Sequence, residues 1–153
     1  MTDAPGTYAL LLRSETQRDI EVGALGTMTV RPGAYVYVGS AFGPGGLRAR
    51  VQRHVRADGA RHWHVDDLRA ATTLDAVWYT HDPERRECTW AGIVRSLPDA
   101  TVPPEGFGAS DCDCSAHLAQ FDVPPRFDDF RERLRTKSPD HGSIRQRSPA
   151  SET

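Results

Sequence analysis

The sequence predicts an α+β domain with a central antiparallel sheet flanked by helices. Near the N-terminus, residues 7–13 (TYALLLR) form a nearly continuous apolar run of the kind found in buried strands. After the glycine-rich residues 42–46 (FGPGG), the periodicity changes: Leu47, Val51 and Val55 recur every four positions, which is typical of a helix with one buried face. The chain therefore combines a strand-rich first part with later helices.

Short apolar or alternating runs between turn signals predict the strands. The RPG sequence at residues 31–33 is a turn signal, and the first four strands around it are expected to form an antiparallel meander. Residues 74–80 (LDAVWYT) alternate between apolar and polar and predict a later strand. The predicted strands cover residues 7–13, 20–22, 28–30, 34–38, 74–80 and 117–121.

Helices are predicted where apolar periodicity or a start signal appears. Asp82, Pro83 and Glu84 are suited to the N-cap, the first helical position and the first turn, so a helix is expected to begin there and run to about residue 96. The other helices are predicted at residues 47–56, 62–71 and 127–134. One domain is predicted over residues 1–135, and the polar residues 136–153 are predicted to be a disordered tail.

Composition narrows the class of protein. A chain of 153 residues is long enough for one domain with a hydrophobic core. It contains no apolar run of the roughly 20 residues that a membrane span needs, and no secretory signal pattern, so a cytoplasmic protein without a membrane is expected. Three cysteines do not suggest a disulfide framework. The net charge of −2 predicts no global attraction to nucleic acid, but a local basic face remains compatible with it.

The helix after the glycine-rich segment carries such a basic face. Arg50 and His54 are four residues apart and lie one turn from each other beside the apolar stripe. Arg48, Arg53 and Arg56 lie mostly on the outer faces of the same helix. A surface of this kind suits phosphate groups, although an ordinary solvated face has the same pattern.

The preceding strand, GAYVYVGSA, places Tyr35 and Tyr37 on one face and two valines on the other. The valines are expected to contact the core. Tyr37 then points toward the region between the glycine-rich segment and the basic helix, and Gly39 leaves space for a close approach.

These motifs, in this order, resemble the GIY-YIG nuclease superfamily and in particular its small, stand-alone Uri-type members. Residues 6–8 (GTY) match the first triplet and residues 37–39 (YVG) the second. The family's helical arginine corresponds to Arg50, its following Tyr or His to His54, and its metal-binding glutamate to Glu87. With the segments HWHVD at 62–66 and GFGASDC at 106–112, the resemblance covers roughly residues 6–121.

The resemblance implies a GIY-YIG-like fold whose triplets lie on neighbouring strands, with Gly6 and Gly39 as structural positions. The gap between the triplets is longer than the usual ten or so residues, so residues 20–30 would form an inserted hairpin, with Tyr35 beneath it or at the rim. Ser40 follows the second triplet where some repair nucleases have a lysine.

The implied activity is metal-dependent hydrolysis of phosphodiester bonds in DNA, either branched or single-stranded. Glu87 would hold Mg²⁺ or Mn²⁺, Arg50 would bind the scissile phosphate, and Tyr8 or Tyr37 would take a proton from the attacking water. His54 would orient the water or a tyrosine, or protonate the leaving oxygen. The expected DNA-contacting residues are Ser40, Arg48, Arg53 and Arg56.

Two other functions are compatible with the sequence. One is a nucleic-acid-binding module that keeps this fold without efficient catalysis. The other is a small zinc-binding scaffold built on Cys112, Cys114 and His117, with Cys88 or His62 as a fourth ligand, although the cysteine spacing is poor for zinc. The sequence leaves the oligomeric state open.

Overall fold

A computed structural model describes residues 1–22, 26–56, 64–102 and 117–148. These ranges contain seven strands and four helices. In chain order they are β1 (Gly6–Ser14), β2 (Arg18–Val22), β3 (Gly26–Val30), β4 (Gly33–Ala41), α1 (Gly46–Arg56), α2 (His64–Ala70), β5 (Thr73–Thr80), α3 (Glu87–Ser96), β6 (Leu118–Phe121), α4 (Phe127–Lys137) and β7 (Ile144–Arg147).

The main sheet has five strands in the order β6-β4-β1-β5-β7, and every neighbouring pair is antiparallel. The predicted α+β class, with an antiparallel sheet flanked by helices, is confirmed. The predicted meander is wrong, because β1 pairs directly with β4 and with β5. Strands β2 and β3 pair only with each other, as a separate two-stranded sheet between β1 and β4 in the chain.

Both faces of the main sheet are covered by apolar side chains. On one face, Leu10 of β1 and Tyr35 of β4 share a core with residues of α1, α2 and the β2–β3 pair. On the other face, Val36 of β4 and Trp78 of β5 share a second core with residues of α3 and α4, including Phe130. The expectation that the valines of β4 contact the core holds, and the tyrosines opposite them are buried as well.

Helix α3 begins at Glu87, four residues after the predicted first helical position at Pro83. The Asp82 carboxylate is engaged elsewhere: it accepts hydrogen bonds from the backbone amides of Glu84 and Gly142 and from the Arg86 guanidinium. These bonds hold residues 82–86 in a turn, and Asp82 anchors the segment before β7 rather than capping the helix.

The prediction of a disordered tail over residues 136–153 is wrong for its described part. Helix α4 continues to Lys137, and β7 adds an edge strand to β5. The side-chain amide oxygen of Gln146 accepts a hydrogen bond from the indole of Trp78, and Ile144 is buried. An edge strand needs mainly backbone hydrogen bonds, so four residues with one buried apolar side chain suffice without an apolar period. Residues 149–153 lie outside the described residues.

Among the described residues, no helix is both long and apolar enough to span a membrane.

Candidate functional site

The two tyrosine-containing triplets lie on the adjacent strands β1 and β4, in a register that pairs Tyr8 with Gly39. A Cβ atom at position 39 would be only 2.5 Å from the Tyr8 hydroxyl oxygen, so the phenol ring occupies the space that Gly39 leaves. At position 6 a Cβ would collide with the carbonyl oxygen of Thr80 on β5. Close packing against Tyr8 therefore requires a glycine at position 39, and close packing against Thr80 requires one at position 6.

Tyr8 and His54 form a buried hydrogen bond across the interface between β1 and α1. The Tyr8 hydroxyl oxygen and the His54 Nε2 atom are 2.8 Å apart. The Tyr37 ring meets the His54 ring edge-on, with the centroids 6.5 Å apart. The imidazole thus lies between the two tyrosines that the sequence singles out.

Burial determines the protonation states of His54, Tyr8 and Tyr37. It lowers the pKa of His54 from 6.5 to about 3, and the nearby Asp66 carboxylate only partly opposes this change. His54 is therefore a neutral imidazole at pH 7. Burial also raises the pKa of Tyr8 and of Tyr37 well above 10, while the Arg50 guanidinium acts to lower both. At rest both tyrosines carry their protons.

Ser40, near the end of β4, connects the two faces of the sheet. Its backbone carbonyl accepts a hydrogen bond of 3.1 Å from Arg50 Nη1 on α1. Its hydroxyl donates at 2.9 Å to Glu87 Oε1, at the start of α3 on the opposite face. Arg85 Nη1 also donates to the Ser40 hydroxyl, at 3.2 Å. Ser40 was predicted to contact DNA, but it is buried and holds Arg50 and Glu87 at the same end of the sheet.

Two side chains around Glu87 were not predicted as part of the nuclease site, although the sequence offered His117 as a zinc ligand. His117 Nδ1 lies 3.6 Å from Glu87 Oε2, and both side chains are buried. The guanidinium of Arg85 lies over the Phe42 ring, 4.7 Å from its centroid. The sequence offers a signal only for Arg85, which is two residues before Glu87. His117 is 30 residues away from Glu87 and reaches it because β6 pairs with β4.

The basic residues of α1 have different surroundings. Arg53 makes two hydrogen bonds to the Asp66 carboxylate, at 3.0 and 2.8 Å, and Arg48 donates to the backbone carbonyl of Met1. Arg56 ends the helix and is exposed. Arg50 and Arg53 also line a small cavity of about 180 Å³ between α1 and the glycine-rich segment.

The first amides of α1 are satisfied within the chain. The amide of Leu47 donates to the carbonyl of Ala4, and that of Arg48 to the carbonyl of Thr2. These two amides are therefore not available to bind an anion.

Arg69 of α2 is a further residue that sequence analysis did not select. Its guanidinium donates to the carbonyl oxygens of His54, Val55 and Thr72 at 2.8, 3.1 and 2.9 Å. These bonds close the last turn of α1, which carries His54. Because the acceptors are backbone atoms, no residue type at those positions signals the contact.

The described residues contain no cluster of three or more His, Cys, Asp or Glu side chains that would hold a metal ion. Glu87 is a buried carboxylate, which is the kind of oxygen ligand that Mg²⁺ prefers. Cys88 is disulfide-bonded, contrary to expectation, so it is not available as a zinc-binding thiolate. Cys112, Cys114 and His62 of the zinc hypothesis, and the 106–112 segment of the resemblance, lie outside the described residues.

Comparison with known proteins gives one match. The family model described as "Domain of unknown function DUF123" matches residues 7–138. This range contains the candidate site, from Tyr8 to His117. No curated protein and no solved structure matches the chain.

Proposed function

The chain belongs to the family described as domain of unknown function DUF123, and from the geometry of its site we propose that it is a metal-dependent endonuclease of the GIY-YIG type that hydrolyses phosphodiester bonds in DNA. The observation that carries the proposal is the convergence at one end of the sheet. Tyr8, Tyr37 and His54 meet on one face, and Ser40 ties Arg50 on that face to Glu87 on the other. The β2–β3 pair between the triplet strands is then the inserted hairpin of Uri-type members.

In this proposal the Tyr8–His54 pair accepts the proton that the attacking water loses. A neutral imidazole whose Nε2 accepts from the Tyr8 hydroxyl can take the phenolic proton while Tyr8 receives one from the attacking water. The high pKa of Tyr8 and the low pKa of His54 both oppose this transfer, and the positive charge of Arg50 favours it by stabilising the phenolate. Tyr8 is therefore assigned as the base, and Tyr37 packs beside His54.

Arg50 supplies charge compensation for the phosphate. Its guanidinium is held by the Ser40 carbonyl and lines the small cavity next to the glycine-rich segment. A planar guanidinium binds two phosphate oxygens at once, and such donors stabilise the charge that grows in the transition state.

Glu87 is the residue that would hold the divalent ion. Its carboxylate is oriented by the Ser40 hydroxyl and lies at the same end of the sheet as Arg50. A bound Mg²⁺ or Mn²⁺ ion would act as a Lewis acid on the phosphate.

The test is a cleavage panel of branched, flapped and single-stranded DNA with and without Mg²⁺ or Mn²⁺. The parent protein should cut at least one substrate, and Arg50→Lys and Glu87→Gln should each lower the rate by about 10²-fold or more, since each removes transition-state stabilisation. Glu132→Gln, on an exposed position of α4, is the control and should cut like the parent. Absence of cleavage across the panel with both metals would overturn the proposal.

A DNA-binding module without efficient catalysis is the second candidate. It is favoured by the strongly raised pKa of both site tyrosines, which makes a phenolate costly. It predicts salt-dependent DNA binding that weakens when Arg48 or Arg56 is replaced by Ala, with no cleavage by the parent protein.

A further inference from the structure

The pair formed by Glu87 and His117 is a further feature of the site that the proposed function does not use. The Glu87 Oε2 and His117 Nδ1 atoms face each other at 3.6 Å, and the two side chains are 6% and 0% exposed. This separation exceeds the roughly 2.7–3.2 Å of an N–H···O hydrogen bond. A carboxylate oxygen and an imidazole nitrogen are thus held together, away from water, without a direct hydrogen bond between these two atoms.

The separation matches two ligands of one metal ion. Metal–nitrogen and metal–oxygen bonds of about 2.1 Å place their donor atoms about 3.6 Å apart when the angle at the metal is about 115–120°. Mn²⁺ prefers octahedral coordination, and a shift of about half an ångström brings this angle to the roughly 90° between neighbouring ligands of such an ion. Glu87 Oε2 and His117 Nδ1 can then bind the same cation.

The neighbouring contacts keep both donor atoms in place. The hydroxyl of Ser40 binds Glu87 Oε1, which fixes the carboxylate so that Oε2 is the oxygen turned to His117. The backbone carbonyl of His117 accepts a hydrogen bond from the amide of Val38 on β4, which fixes the residue at the start of β6. Each donor is thus attached to β4 by a hydrogen bond, and donors held by a regular element are better preorganised than donors on free loops.

We propose that Glu87 and His117 together bind a divalent transition-series cation, and that this pair makes the site select such an ion over Mg²⁺. The inference rests on the proposed function, in which Glu87 alone is the metal ligand. An imidazole ligand favours transition-series ions, whereas Mg²⁺ prefers oxygen ligands and water. His117 therefore sets which ion the site accepts.

The test measures metal binding without DNA and without turnover. Mn²⁺ and Mg²⁺ are titrated into the parent protein by calorimetry, and the Mn²⁺ complex is studied by electron spin-echo spectroscopy for coupling to a ligand ¹⁴N nucleus. We expect Mn²⁺ to bind at least about tenfold more tightly than Mg²⁺, with ¹⁴N coupling present. His117→Gln should weaken Mn²⁺ binding about tenfold or more and remove the coupling, by analogy with the losses seen on mutating groups around metals. His81→Gln, a histidine outside the site, is the matched control.

The outcomes separate the two proposals. If Glu87→Gln abolishes Mn²⁺ binding but the parent complex shows no ¹⁴N coupling, the role of His117 is overturned while Glu87 remains the metal ligand. If Glu87→Gln leaves Mn²⁺ binding unchanged, both the metal site of the proposed function and this inference fail. The ¹⁴N measurement uses only the parent protein, so it decides the question even if His117→Gln does not fold.

Discussion

The guanidinium of Arg69 is hydrogen-bonded to the backbone carbonyl of His54, with Nε 2.8 Å from the oxygen. The same group binds the carbonyl of Val55, so it caps the C-terminal end of α1 from the neighbouring helix α2. A cation at this end of a helix satisfies carbonyls that have no partner within the helix and interacts favourably with the helix dipole.

Replacing Arg69 by Ala should therefore destabilise the protein. The loss of hydrogen bonds from a charged, half-buried group to backbone carbonyls is expected to lower the free energy of unfolding by about 1.5–3 kcal/mol. Unfolding by denaturant measures this change in the free energy of unfolding. The exposed Arg56 on the same helix provides the control, since Arg56→Ala should change stability by no more than about 0.5 kcal/mol. Equal effects of the two substitutions would contradict the capping role.

The buried, neutral His54 predicts a loss of stability in acid. Its pKa is about 3 in the folded protein and 6.5 when exposed, so the unfolded chain takes up a proton first as the pH falls. The His54 contribution to the free energy of unfolding is constant above pH 6.5. Below that pH it falls by up to about 1.4 kcal/mol per pH unit until about pH 3.

The measurement is the free energy of unfolding at several pH values between 7 and 4, for the parent and for His54→Gln, which keeps a polar side chain but does not titrate. The variant should be less stable than the parent at pH 7 and show a shallower decline. Parallel pH curves would mean that His54 is not buried in its neutral form.

A methyl group at position 39 should displace the Tyr8 ring. The Cβ of Ala would lie 2.5 Å from the Tyr8 hydroxyl oxygen, and the buried ring cannot move without breaking its bond to His54. Gly39→Ala is expected to cost about 1–3 kcal/mol of stability. Gly43→Ala is the control, because a Cβ there meets nothing within 4 Å. In a Tyr8→Leu background the cost of Gly39→Ala should fall, and an unchanged cost would show that the clash lies elsewhere.

The strand β7 should contribute measurably to stability. Ile144 is 6% exposed and packs in the core between the sheet and the helices α3 and α4. Ile144→Ala is expected to lower the free energy of unfolding by about 2–4 kcal/mol, whereas Arg145→Ala on the exposed side of the same strand should have little effect. If neither Ile144→Ala nor Arg145→Ala changes the free energy of unfolding, residues 144–147 are not part of the folded sheet in solution.

The sequence predicted well the strands and helices whose own residues carry a periodic apolar pattern. Strands β1 and β4 and helix α1 were predicted within a few residues, because burial on a face of each one repeats with the period of its secondary structure. The start of α3 was misplaced, since Asp82 is bound by Gly142, which is 60 residues away. Strand β7 was missed because pairing with β5 stabilises it rather than its own composition.

The residues of the candidate site also divide into those with a signal in the sequence and those that depend on distant contacts. Tyr8, Tyr37, Arg50, His54 and Glu87 were selected from motif order, and the fold brings them to one end of the sheet. Arg85 and Arg69 were not selected, and His117 was considered only as a zinc ligand, because their contacts depend on strand pairing and helix packing over long sequence separations. The role of Ser40 was also misjudged: a serine after a strand does not reveal that its carbonyl and hydroxyl are bound from opposite faces.

That double attachment of Ser40 has a consequence for the order of events during folding. Its partners Arg50 and Glu87 belong to helices on opposite faces of the sheet, and Glu87 is 47 residues away in the chain. Contacts of such long sequence separation form slowly, after local structure. In a refolding experiment, the metal binding that we propose at Glu87 should therefore be regained later than the helical circular dichroism signal.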